Sequence, residues 1–361
     1  MRLRLLALAA LLALAVVAAP AAAKPRAAKR IAAFDSCRSL VGYATRHVPP
    51  PVPRTPGPLP MPERADMPTA APAPAEDGGD SSQTNVQEAG VDEPDTVKTD
   101  GRTIWAVENG TLHAVDARAA TPRLLSALPL GDGYGTTMLL RKDRALLLGS
   151  GPKGARWTEV DVSDPAKPAI LRTEDVDGYI VDARLTGRSV RIVVSSYPVA
   201  ISQPGEIRSQ AAGWLPSRRI ENARTGGVLE RSVRCRAVRR PSVYSGAGVL
   251  TVYTVDLTRG LPAIDVDAIF TTGDTVYASP SSLYVATHRY DTQGGNTSIH
   301  RFDISDPDRT TYAGTGMVPG TAPLAVYAVR SGSEMSKRWI AVFALSTSQR
   351  CVATYRLEGD A

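Results

Sequence analysis

One turn motif recurs along this chain at nearly constant spacing. Val160-Asp161-Val162-Ser163-Asp164-Pro165 returns as Phe302-Asp303-Ile304-Ser305-Asp306-Pro307, and looser copies run from Val115-Asp116 to Pro122 and from Val255-Asp256 to Pro262. In each copy an apolar run ends at an aspartate, a turn follows and a new apolar run begins. The Asp carboxylate can accept a backbone N–H within the turn while proline presets φ, so the motif predicts a corner between two strands. Asp116, Asp161, Asp256 and Asp303 stand 45, 95 and 47 residues apart. The middle interval is one period plus a surplus that matches an irregular stretch rich in Arg, Gly and Ser, from about Pro198 to Gly248. Four repeats of about four short strands each predict an all-β chain, a β-propeller of about four recognisable blades with one inserted loop.

Composition agrees with many short elements. Aromatic residues make up 6%, against 30 glycines and 28 prolines, which favours strands joined by turns over long helices. Asn109-Gly110 between Thr103–Val107 and Thr111–Val115 is a strong hairpin signal. A second hairpin is expected from Thr137–Leu140 and Ala145–Gly149, around Arg141-Lys142-Asp143-Arg144.

The N-terminal residues have the form of a secretory leader: Arg2 and Arg4, an apolar run from Leu5 to Ala19, and Ala21-x-Ala23. The run is shorter than the roughly 20 residues that span a bilayer, so cleavage is expected over a permanent anchor. No cysteine follows it closely, which leaves no lipobox. No later stretch is apolar enough to cross a membrane, and a secreted or extracytoplasmic location in the cell envelope is the expectation. The formal charge of +6 falls to +4 without the leader. Nine arginines lie between Arg208 and Arg240, but no stacking aromatics or known module accompany them, so nucleic acid is not the expected partner. The stretch reads as a solvated basic loop.

Phe34, Cys37, Leu40, Val41 and Ala44 recur at three and four, with Asp35 or Ser36 able to cap, so Phe34–Arg46 is expected to be a short amphipathic helix. Prolines every few residues from Pro49 to Pro74, then Glu76-Asp77-Gly78-Gly79-Asp80, predict an extended linker. Cys37, Cys235 and Cys351 form no CxxC pair, which argues against zinc. An exported chain allows a disulfide; Cys37 with Cys235 is the preferred pairing, three free thiols the alternative. The expected division is a leader at 1–23, a helical segment at 24–48, a linker at 49–80, blades at 81–330 with the insertion at about 198–248, and a divergent remnant at 331–361.

The block Asn85-Val86-Gln87, Gly90-Val91-Asp92-Glu93 and Val97-Lys98-Thr99-Asp100-Gly101, with the upstream Phe34-Asp35-Ser36-Cys37 and the Asp-Pro turns, resembles a bacterial and archaeal family of secreted proteins with a C-terminal β-propeller distantly related to WD-40 repeats. The Gly-His and Trp-Asp marks of a strict WD40 array are missing. The resemblance covers roughly residues 34–48 and 81–330 and implies no established reaction. Members of that family continue through further blades, so the expectation from the resemblance is a truncated or frameshifted copy.

For chemistry, Asp92, Glu93 and Asp95 form the densest acidic set of the blades. Clustered carboxylates suit Ca²⁺, which takes six to eight oxygens, or a channel attracting cations; the alternative is that they satisfy backbone donors. His47, His113, His288 and His300 form no metal motif, no GxSxG elbow is present, and Gly131-Asp132-Gly133-Tyr134-Gly135 lacks the following helix of a phosphate loop. No catalytic or cofactor residues are assigned. The leading expectation is an exported, non-enzymatic scaffold that binds a protein or an envelope polysaccharide through its loops. A hydrolase or quinoprotein-like enzyme with a central-channel site, or a fragment without function, are the alternatives.

Overall fold

The computed structural model describes residues 31–51, 88–118, 121–131, 136–241, 244–273, 275–289, 296–319, 326–329, 339–346 and 349–356. The expected leader, nearly all of the Pro-rich linker and the Asn85-Val86-Gln87 part of the lead-in motif lie outside the described residues. Among those described, strands form five sheets that follow one another along the chain.

The first sheet joins β1 (Val97–Thr99), β2 (Thr103–Glu108), β3 (Thr111–Asp116) and β4 (Arg123–Pro129) in chain order, all antiparallel. Its central hairpin turns on Asn109 and Gly110 at φ 48° and 70°, the left-handed pair that a two-residue turn needs and that this dipeptide adopts most readily. The second sheet holds β5 (Thr137–Arg141), β6 (Arg144–Gly151), β7 (Gly154–Asp161) and β8 (Ala169–Asp177). The third begins with β9 (Tyr179–Thr186) and β10 (Ser189–Ser196), and the chain then leaves it.

The excursion contains α2 (Val199–Ser202), two 3₁₀ turns, β11 (Ser217–Asn222), β12 (Val228–Ser232) and β13 (Val238–Arg239). It returns as β14 (Val249–Asp256) and β15 (Asp265–Ile269), which complete the third sheet. β16 (Thr275–Ser279), β17 (Ser282–Arg289), β18 (Asn296–Asp303) and β19 (Thr311–Pro319) make the fourth. β20 (Val326–Val329), β21 (Trp339–Ser346) and β22 (Gln349–Arg356) make a three-stranded fifth, in residues that carry no Asp-Pro turn.

The first strands of successive sheets sit side by side, β1 against β5, β9 against β16 and β16 against β20. The second and third sheets bury both faces, each lying between two of the hydrophobic clusters. Three clusters fill the gaps. Trp105, Leu112, Met138, Leu147 and Val160 pack between the first and second sheets. Leu146, Trp157, Ile192, Tyr253 and Val255 pack between the second and third, and Val193, Val252, Ile269, Val285 and Phe302 between the third and fourth. β10 feeds two clusters, which explains why Ser189–Ser196 is buried at every position and shows no polar alternation. Each fully buried Leu, Ile, Val or Phe contributes roughly 1.5–3 kcal/mol.

The recurring aspartates do the same job four times. Asp116, Asp161, Asp256 and Asp303 each end the third strand of a sheet, and each Oδ1 accepts the backbone N–H two residues on, from Arg118, Ser163, Thr258 and Ser305, at 3.0, 3.0, 2.8 and 2.9 Å. In both strict copies the proline carbonyl accepts a serine hydroxyl from a neighbouring sheet, Ser126 on Pro165 and Ser189 on Pro307. Arg191 reaches under the last copy from the third sheet and donates to the carbonyls of Ile304, Asp306 and Arg309. Burial pulls its guanidinium down to about 10, which still leaves it charged at neutral pH.

The N-terminal helix is α1 (Cys37–His47). Ser36 caps it through its Oγ on the Ser39 N–H, and Ser39 answers on the Ser36 N–H. At 11 residues it is marginal alone, so it is held by what it covers. Leu40, Tyr43 and Ala44 are buried, and Tyr43 meets Phe270 edge-on at 5.7 Å. A Cys37–Cys235 disulfide, Cα–Cα 5.1 Å, ties the helix to the excursion. No helix among the described residues is long and apolar enough to cross a membrane.

Candidate binding face

The lead-in segment crosses the free edges of the first strands. Glu88 Oε2 accepts the Tyr277 hydroxyl of β16, Asp92 exchanges both backbone hydrogen bonds with Leu185 of β9, and Asp95 does so with Met138 of β5. Thr96 then accepts from Val107, and β1 begins. Nine residues, Glu88 to Thr96, thus visit the fourth, third, second and first sheets in turn, satisfying backbone groups that a propeller otherwise leaves open along its axis.

The acidic set of the sequence is spread along this path. Asp92 Oδ1 accepts the Lys98 ammonium at 2.7 Å, and the same ammonium donates to the Glu93 carbonyl at 2.7 Å. The Glu93 carboxylate faces Arg184 Nη2 at 3.3 Å, while Asp95 Oδ1 accepts its neighbour Thr96 N–H at 2.7 Å. Asp92 and Glu93 are therefore brought together around Lys98, and Asp95 is turned to the second sheet. Among the described residues no group of three or more His, Cys, Asp or Glu is placed to hold a metal ion.

Residues 198–248 depart from the solvated basic loop that their composition suggests. Trp214, Leu215, Val233, Cys235 and Val238 are buried in the cluster between the second and third sheets. Two of the arginines, Arg208 and Arg218, are inside as well, and Arg239 is half-buried. Arg208 donates to the carbonyls of Val48 and Ala200 and lies over the Trp214 ring at 5.1 Å. Arg218 Nη1 sits 2.8 Å from Glu174 Oε1, and Arg239 pairs with Asp267. Fixed carbonyls and carboxylates compensate their loss of water. β11 adds to the edge of β8 and carries β12 beyond it, whereas β13 runs parallel to β15. The excursion is thus a cap laid over two sheets.

That cap and the turn into the third sheet emerge on one side. In an up-and-down sheet the link into the first strand and the link from second to third strand leave by the same end. Here those links are Gly178 and the excursion after Ser196. Gly178 has φ 125°, and a Cβ there would lie 2.5 Å from the Ser195 carbonyl, so only glycine lets this turn lie flat on β10. Tyr179 pairs with Ser195, and Tyr197 follows two residues on. Their rings lie 6.3 Å apart at 25°, 44% and 63% exposed, next to Val199 at 49%. Lys153 meets Asp177 at 3.5 Å at the same end, and Asp177 Oδ2 accepts the Ser217 N–H and hydroxyl. Single-sequence reasoning gave no sign of this pair, because both tyrosines look like strand residues.

Five consecutive, largely antiparallel sheets, with the Asp turns at one end and a cap at the other, define a β-propeller that carries an inserted cap. The chain belongs to the family described as beta propeller domain, whose model matches residues 81–329. No curated protein sequence matches the chain. Among solved structures, Drosophila Plexin A in complex with Semaphorin 1b is similar at 6% identity over 73% of this chain and 77% of that chain, with a TM-score of 0.24.

Proposed function

We propose that this protein is an exported, non-enzymatic binding scaffold that takes a protein or an envelope polysaccharide on the face carrying the cap. The observation that carries the reading is the Tyr179–Tyr197 pair. Two large rings stand in solvent on a backbone fixed by Gly178, while other aromatic side chains such as Trp105, Trp157, Trp214, Phe270 and Phe302 are buried. Rigid exposed aromatics lose little entropy on contact and anchor interfaces. The leader supports export, and the lead-in segment lying across the first strands supports recognition at the cap over a reaction in the axis.

The test is sedimentation of the mature protein with washed cell envelopes of its source. The expected result is association that falls at least tenfold in Tyr179→Ser/Tyr197→Ser at unchanged Tm. Equal association of the double variant and the parent, or none by the parent, overturns the reading.

A further inference from the structure

A second surface, distinct from the tyrosine pair, runs along the seam between α1 and the cap. Arg38 follows Cys37, and Arg234 and Arg236 flank Cys235, so the disulfide brings three arginine residues to one stretch of the surface. Arg236 Nε also donates to the Asp35 carbonyl at 3.0 Å. Further along the seam the Arg240 N–H donates to the Ala32 carbonyl, and the charges of Arg240 and Arg46 both act on the Tyr43 hydroxyl. All five side chains are exposed. None of them makes an ion pair among the described residues, whereas Arg188, Arg218, Arg219, Arg239 and Arg259 all do. Asp35 is an exposed carboxylate on the strip and Glu206, in the 3₁₀ turn that packs on α1, is another, its Oε1 accepting from the Gln210 amide; Glu221 and Glu230 are taken by Arg219.

We propose that this arginine seam binds a linear polysaccharide bearing carboxylate groups. The proposal rests on the exported-scaffold reading and deepens it by naming the partner's chemistry. Five like charges held together without counter-charges raise one another's energy, and a polyanion relieves that. Every cation on the strip is an arginine, whose planar fork matches a carboxylate with two parallel hydrogen bonds. No large apolar side chain of α1 or of Val233–Arg240 is exposed, so the strip lacks the apolar centre of a protein interface and the wedge of a membrane-binding helix. Phe34 and Tyr43 are buried, and the exposed His47 ring is already stacked on Tyr244 at 5.3 Å, so the strip offers no row of open rings for a single-stranded nucleic acid. A uronate-type polymer presents one negative charge per sugar, a linear row of carboxylates to set against the row of arginines.

The probe is polygalacturonate, titrated by calorimetry into the mature protein at about 50 mM salt, with duplex DNA of similar length in parallel. The expected result is binding that weakens steeply with salt, exceeds that to DNA, and drops at least tenfold in Arg38→Gln/Arg234→Gln/Arg240→Gln. Tm should not move, because these three side chains hold no partner among the described residues. Arg46→Gln alone should weaken binding by a few-fold and serves if the triple variant misfolds. No binding, equal binding by the variants, or DNA bound as tightly as the polysaccharide overturns the proposal. Envelope association that needs Tyr179 and Tyr197 but survives the arginine changes would sink this inference while leaving the scaffold reading intact.

Discussion

Arg218 Nη1 lies 2.8 Å from Glu174 Oε1, with the Glu174 side chain wholly out of water and that of Arg218 9% exposed. The pair joins β11 of the cap to β8 of the second sheet. Glu174 also accepts the Trp157 indole N–H at 3.1 Å and the Ala263 N–H at 3.3 Å, so one carboxylate ties the cap and two sheets together. Burial pushes this carboxyl up, and Arg218, with the Ala263 and Trp157 donors, opposes that shift. Removing the guanidinium leaves a buried carboxylate with two hydrogen-bond donors and no counter-charge. Arg218→Ala should cost about 3–5 kcal/mol in urea unfolding, and Arg218→Met/Glu174→Gln should recover part of it. A loss below about 1 kcal/mol in the single variant would show that the pair does not fasten the cap.

The same fastening is covalent at the other end. The Cys37–Cys235 bond closes a separation of 198 residues, and constraining so long a loop in the unfolded chain is worth roughly 2–4 kcal/mol. Cys235→Ser should lower stability by about that amount and release α1, visible as faster amide exchange over Cys37–His47. The unreduced protein should titrate one free thiol, Cys351; three would dispose of the bridge.

Legibility followed the range of the interaction. The Asp turns, the Asn109-Gly110 hairpin and the Ser36 cap were open to sequence reading because donor and acceptor lie within a few residues. The fate of the cap's arginines was not. Arg218 is buried by Glu174, 44 positions away, and Arg208 by the Val48 carbonyl, 160 away. Composition counts such residues as basic loop whichever way they face. The tyrosine pair was hidden for a related reason, since exposure of Tyr179 depends on a turn lying flat on β10. Asp92 and Glu93 illustrate the intermediate case. Their closeness is local, but the ammonium between them comes from a Lys98 that the chain must fold back to deliver.

That ammonium makes a prediction about metals. Lys98 is 6% exposed and donates to both Asp92 Oδ1 and the Glu93 carbonyl, so oxygens that a calcium ion would use already hold a cation. EDTA should leave Tm within about a degree, whereas Lys98→Met should cost on the order of 1–3 kcal/mol by orphaning those acceptors. A chelator-induced fall of several degrees would instead place a metal on Asp92, Glu93 or Asp95.

His300 sets the acid limit of the blades. Its Nε2 lies 3.2 Å from Thr287 Oγ1, whose hydroxyl donates to the Ser298 carbonyl, so the Nε2 hydrogen points to Thr287. Nδ1 is then the acceptor of the Thr315 hydroxyl at 2.7 Å, and that oxygen in turn takes the Tyr312 hydroxyl. One neutral tautomer satisfies the whole chain. Burial alone holds the imidazole down to about 4 from an ordinary 6.5. In the unfolded chain the ring picks up its proton near 6.5, while the folded ring refuses it until about 4. Stability from this group is therefore intact above 6.5 and drains as pH falls through that window, by roughly 3 kcal/mol in all. His300→Gln, which can keep a donor and an acceptor in place, should flatten that part of the pH–stability curve between 6.5 and 4. An unchanged slope in the variant would move the acid sensitivity to another group.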